Sequence, residues 1–79
     1  MKAVPITRLM NGQSGRVSQI QGGRGVRAKL EALGIFPGAV VGKKSAVGGA
    51  GPVIITVGLG EVAIGYNIAS RLWVEVAER

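Results

Sequence analysis

Fourteen glycines are scattered along a chain of 79 residues, neither repeating in register nor gathering into one flexible tract. Spread in this way they punctuate turns and bulges, and they mark neither a collagen-like repeat nor a Gly-rich linker. The intervals between them are filled mostly by Val and Ile, which suit short strands sharing one compact core better than they suit a helical bundle. Residues 1–79 contain no internal repeat, low-complexity tract or second domain, so the chain reads as one small domain with little room for a catalytic apparatus and its support.

The pattern along the chain supplies the elements. "GRVSQI" (residues 15–20) reads as a strand with a bulge or twist near Gly22, because Val17 and Ile20 do not share period-two parity. In "RGVRAKLEALG", Val26, Leu30 and Leu33 fall at i, i+4 and i+7, which predicts a short helix with one apolar stripe, and Gly34 stands where a left-handed C-terminal cap belongs. Pro37 forbids continuation. "AVVGKKSAV" and "PVIITV" form a predicted hairpin through "GGAG", followed by a short strand "EVAIG" entered through "GLG". One helical or 3-10 turn over "YNIASR" leads into "LWVEV", the clearest alternating strand. About five strands and one short α-helix predict a mainly β fold closed, or nearly closed, into a small barrel. Its expected core is Val17, Ile20, Leu30, Leu33, Val40, Val53, Ile55, Val57, Ile64, Leu72, Val74 and Val76. Tyr66 is expected to cover a barrel end, and Trp73 to line the outer face of the last strand.

The residue inventory narrows the chemistry. There is no Cys, His or Asp, and the four carboxylates, Glu31, Glu61, Glu75 and Glu78, show no paired spacing. A structural zinc site, a disulfide, a Ser-His-Asp or thiol nucleophile and an EF-hand loop are therefore excluded, and neither catalytic residues, metal ligands nor a cofactor are expected. "GRGVRA" (residues 23–28) matches the dinucleotide fingerprint G-x-G-x-x-G/A, yet the region where an acidic residue should meet the ribose is "KKSAVGGAG". The glycines at 22, 23 and 25 are read as a tight strand-to-helix turn.

Ten Lys and Arg against four Glu give a net charge of +6, a field that attracts acidic proteins, anionic headgroups or nucleic acid. No segment has the apolar length of a signal peptide or a membrane span, and a cytoplasmic location is expected. Three cations, Arg24, Arg27 and Lys29, sit on the short helix, and the loop "GIFPG" just beyond it offers Ile35, Phe36 and Pro37. A large apolar group in a loop is less constrained to be buried than one in a strand. These six residues are the candidate partner-binding set.

The spacing of Gly23, Leu30, Leu33, Gly34, Ile35, Pro37 and Gly38, then Gly51, Pro52 and Val53, then Ala63, Ile64, Ile68, Ala69 and Val74, resembles the FeoA family over almost the whole chain. The resemblance implies an SH3-like β-barrel and a small cytoplasmic accessory role in ferrous-iron transport, docking on and modulating a FeoB-type GTPase permease. It places the protein at the membrane only through that partner. Two other readings stay open: a basic small barrel that binds nucleic acid through phosphate contacts, for which one Phe, one Tyr and one Trp are poor stacking material, and a stand-alone relative of the SH3-like domain of DtxR-type metal-dependent regulators. An unpaired strand edge would also permit a homo-oligomer.

Overall fold

The computed structural model describes residues 2–77. Six strands form one antiparallel sheet: β1 (Lys2–Pro5), β2 (Ser14–Ile20), β3 (Val40–Ala46), β4 (Val53–Val57), β5 (Gly60–Ile64) and β6 (Leu72–Val76), in the order β1-β6-β2-β3-β4-β5. A 3-10 turn over Ile6–Arg8 follows β1, helix α1 (Arg24–Ala32) joins β2 to β3, and the short helix α2 (Tyr66–Ala69) joins β5 to β6. The expected mainly β architecture with one short helix is the observed one. The sequence reading omits β1, whose four residues pair with β6 from Lys2 opposite Val76 to Pro5 opposite Trp73.

The parity problem in β2 has a local solution. The register with β6 shifts between Val17 and Gln19, so Ser18 is the extra residue, and Val17 and Ile20 both face inward. The bulge thus lies at Ser18, four residues before the expected position at Gly22, which instead takes a φ of +131° in the turn that leaves the strand. A second shift in β3, between Lys43 and Ser45, bends the sheet again.

The core consists of Ile6, Leu9, Val17, Ile20, Leu30, Ile35, Val41, Val53, Ile55, Ile64, Ala69, Leu72 and Val74, with Val57 and Val76 packed against it and partly buried. Two expected core residues are exposed. Val40 faces outward because Val41 is the β3 residue that turns inward, opposite Val57. Leu33 is the C-cap of α1, one position beyond the last helical residue, and its side chain is exposed. Ile35 replaces it by a specific mechanism. The Gly34 N–H donates to the Glu31 carbonyl (2.9 Å) and the Ile35 N–H to the Leu30 carbonyl (2.9 Å), the paired bonds of a Schellman motif. That motif brings the residue after the cap glycine over the last helical turn, so Ile35 packs with Leu30 in the core. Gly34 adopts the φ of +85° that the motif needs.

Candidate interaction site

Helix α1 owes its orientation to Leu30, which is buried, and Val26, which is half-buried against the core. At about 100° per residue, this leaves Arg24, Arg27 and Glu31 within about 60° of one another along one flank. Lys29 falls about 160° around the helix from Arg27, on the other flank. The cations of α1 therefore divide between two surfaces.

A groove of about 330 Å³ runs between the Arg27 flank and the end of β2. Its lining combines Ser18, Gln19 and Ile20 from β2, Arg27 and Glu31 from α1, and Ile35, Phe36 and Pro37 from the loop beyond the helix. Of the six residues expected at the site, the structure gathers Arg27, Ile35, Phe36 and Pro37. Arg24 is exposed on the same helix flank but does not line the groove, and Lys29 is turned away from it. Ile35 is corrected in role: it is fully buried, because the Schellman motif draws it into the core, so it supports the groove from below and offers no side-chain surface to a partner. Phe36, the next residue, has 45% of its surface exposed.

Ser18 and Gln19 were not foreseen at the site. The signal for them was the same parity break in "GRVSQI", since the bulge at Ser18 re-aims the end of β2 toward the helix. The Ser18 hydroxyl donates to the Trp73 carbonyl (3.3 Å) across the bulge, which ties β2 to β6 there. Trp73 is half-buried between the Pro5 and Gln19 register positions, and its indole nitrogen is enclosed without a hydrogen-bond partner. Arg16, one bulge away from the groove, donates from Nη1 to the Gly38 carbonyl (2.8 Å) and so fixes the far end of the Phe36 loop. Arg27 and Glu31 lie one turn apart but form no ion pair; among the described residues the ion pair is Lys44 with Glu61, at 2.5 Å.

The groove thus offers a guanidinium, a carboxylate, a hydroxyl and an amide around an aromatic ring. These groups can hydrogen-bond and bury an apolar side chain. Among the described residues no three His, Cys, Asp or Glu side chains come together, and no helix is long and apolar enough to cross a membrane.

Such a fold defines a small basic barrel of the SH3-like class, with a formed groove between β2 and α1. The FeoA domain model matches residues 4–76, and the chain belongs to the FeoA family. A crystal structure of the iron uptake regulatory protein FeoA is 36% identical, with 95% of this chain and 97% of that one covered and a TM-score of 0.84. FeoA of Stenotrophomonas maltophilia complexed with zinc, described as a prokaryotic SH3 domain protein, is 23% identical over 89% of this chain and 87% of that one, with a TM-score of 0.74. T. acidophilum IdeR shares the fold at 24% identity and a TM-score of 0.85; the match covers 98% of this chain but only 35% of that protein. No curated protein sequence matches the chain.

Proposed function

We propose that this protein is a cytoplasmic accessory factor of ferrous-iron transport that docks on a FeoB-type membrane GTPase permease through the groove between β2 and α1. Membership of the FeoA family supports the transport role, and the relative at 36% identity is itself an iron uptake regulatory protein. The observation that carries the docking face is Phe36, which stands 45% exposed beside Arg27 at the lip of a formed groove. An exposed aromatic next to an arginine is the combination that dominates protein interfaces, the aromatic as anchor and the cation as a directional partner for carboxylate. The binding set is Arg24, Arg27, Phe36 and Pro37, with Gln19 across the groove. Lys29, on the other flank, falls outside it. The role requires recognition and no bond-making chemistry.

The test is an isotope-edited NMR titration with the soluble GTPase domain of a FeoB-type permease, with an RNA oligonucleotide titrated in parallel. Resonances of Gln19, Arg27 and Phe36 should move with the permease domain, and Phe36→Ala should weaken binding about tenfold or more with the fold intact. Unmoved groove resonances together with full complementation of an iron-uptake defect by Phe36→Ala would refute this docking face. Shifts with RNA at physiological salt and none with the permease would establish the nucleic-acid reading in its place.

A further inference from the structure

The β4–β5 hairpin carries a side chain that its turn does not require. Val57 pairs with Gly60, leaving Gly58 and Leu59 as a two-residue loop. Gly58 has a φ of +58° and Leu59 does not have positive φ, the sign pattern of a type II′ turn. That turn needs glycine at its first loop position and an ordinary residue at its second, where Asn, Asp and Ser are common. Leu59 is nonetheless fully exposed.

Two further exposed aliphatic side chains lie at the same end of the barrel. A Cβ at Gly34 would sit 3.2 Å from Val57 Cγ1, so the end of α1 abuts the end of β4, and Leu33 is exposed there. Val41 pairs with Val57, which puts the preceding residue, the outward-facing Val40, at this end too. Each has a cation beside it. Lys29 precedes the cap residue Leu33 by four positions, and Arg16 is directly opposite Val40 in the β2–β3 register. Of the nearby carboxylates, Glu61 is paired with Lys44 and Glu31 faces the groove on the other side of α1, while Glu75 of β6 stands opposite Arg16 and offsets its charge, which leaves Lys29 as the cation this end offers.

We propose that this end of the barrel is a membrane-contact tip, which seats Leu59, Leu33 and Val40 in the interface of an anionic bilayer while Lys29 meets the headgroup phosphates. Shallow apolar insertion flanked by cations is the physical recipe for reversible attachment to anionic lipid. Charge selects the bilayer over a second copy of the chain, since two molecules of net charge +6 would bring like-charged ends together. The side chains favour it over a protein partner, because three aliphatic groups on three element ends offer no aromatic anchor. The proposal goes beyond docking on the permease and stands without it, as it uses neither Phe36 nor Arg27.

The experiment is co-sedimentation of the whole protein with phosphatidylglycerol vesicles and with phosphatidylcholine vesicles at low salt. Binding should be confined to the phosphatidylglycerol vesicles and fall as salt rises. Leu59→Ser, at a turn position that accepts serine, should weaken it about tenfold. Lys29→Gln should weaken it about fivefold, and Phe36→Ala should leave it unchanged. Thermal melts confirm that each variant is folded. Failure of wild-type protein to sediment with phosphatidylglycerol vesicles overturns the proposal, as does undiminished binding by folded Leu59→Ser. It is equally overturned if Leu59→Ser leaves vesicle binding intact but weakens self-association or binding to the permease domain, which would make this end a protein interface.

Discussion

Leu33, Ile35 and Phe36 are three apolar residues within four positions, and they meet three different fates. Helical periodicity assigns Leu33 to the core with Leu30, but the helix ends at Ala32, so the cap residue no longer follows the 3.6-residue period. The bonds from Gly34 and Ile35 back to α1 send Ile35 inward, and the chain then leaves Phe36 at the surface. Leu30→Ala should therefore cost about 2–5 kcal/mol, a large share of the stability of so small a domain, whereas Leu33→Ala should cost less than about 1 kcal/mol. Urea denaturation of the two variants checks the contrast, and equal midpoints would show that the C-cap leucine shares the core after all. The cap glycine is legible in the sequence, and the apolar residue that accompanies such a cap is Ile35. Helix-end geometry, and not the period of the helix interior, decides which of these residues is buried.

Among the elements, alternation made β6 readable, because Leu72 and Val74 are buried at the positions period two assigns. Strand β4 was readable as a continuous apolar run suited to burial on both faces, of which Val53 and Ile55 are the buried residues and Ile54 and Thr56 are only half-buried. Strand β1 was not readable in the same way. "KAVP" is four residues long and ends in proline, and its strand character comes from pairing with β6 and not from local propensity. Its continuation is equally tertiary. The 3-10 turn buries Ile6, and the Lys43 ammonium, from the bulged part of β3, donates to the carbonyls of Thr7 (3.0 Å) and Leu9 (2.9 Å). These two carbonyls lie 34 and 36 residues away in sequence, so no local pattern could announce the contact. Replacing the ammonium by a methyl thioether keeps the stem and removes both bonds from a half-buried site. Lys43→Met should then destabilise the fold by about 1–3 kcal/mol, measured as a lowered denaturation midpoint, and should increase amide exchange at Leu9. Unchanged stability and exchange would mean that water replaces the ammonium at no cost.

For the molecule as a whole, the net charge of +6 was legible from composition, but its distribution was not, because spacing alone did not say which flank of α1 faces the groove. The packing of Leu30 and Val26 decides this, placing Arg24 and Arg27 on the groove side and Lys29 at the opposite end of the surface. Long-range attraction to an acidic partner depends chiefly on total charge, while the lifetime of the complex depends on what is buried at contact. The two can be separated by moving the same charge change around the molecule. Arg24→Glu with Arg27→Glu lowers the net charge from +6 to +2 at the groove, and Lys2→Glu with Arg8→Glu makes the same change at exposed positions of β1 and the 3-10 turn. If the groove is the docking face, the first pair should slow association with the permease domain several-fold more than the second at low ionic strength. The difference should shrink as salt shortens the Debye length to about 8 Å at 0.15 M. Phe36→Ala, with its charge untouched, should leave the association rate nearly constant and raise the dissociation rate. Stopped-flow kinetics across a salt series reads all three, and equal slowing by both charge-reversed pairs would show that the barrel's overall field, and not the groove, guides the encounter.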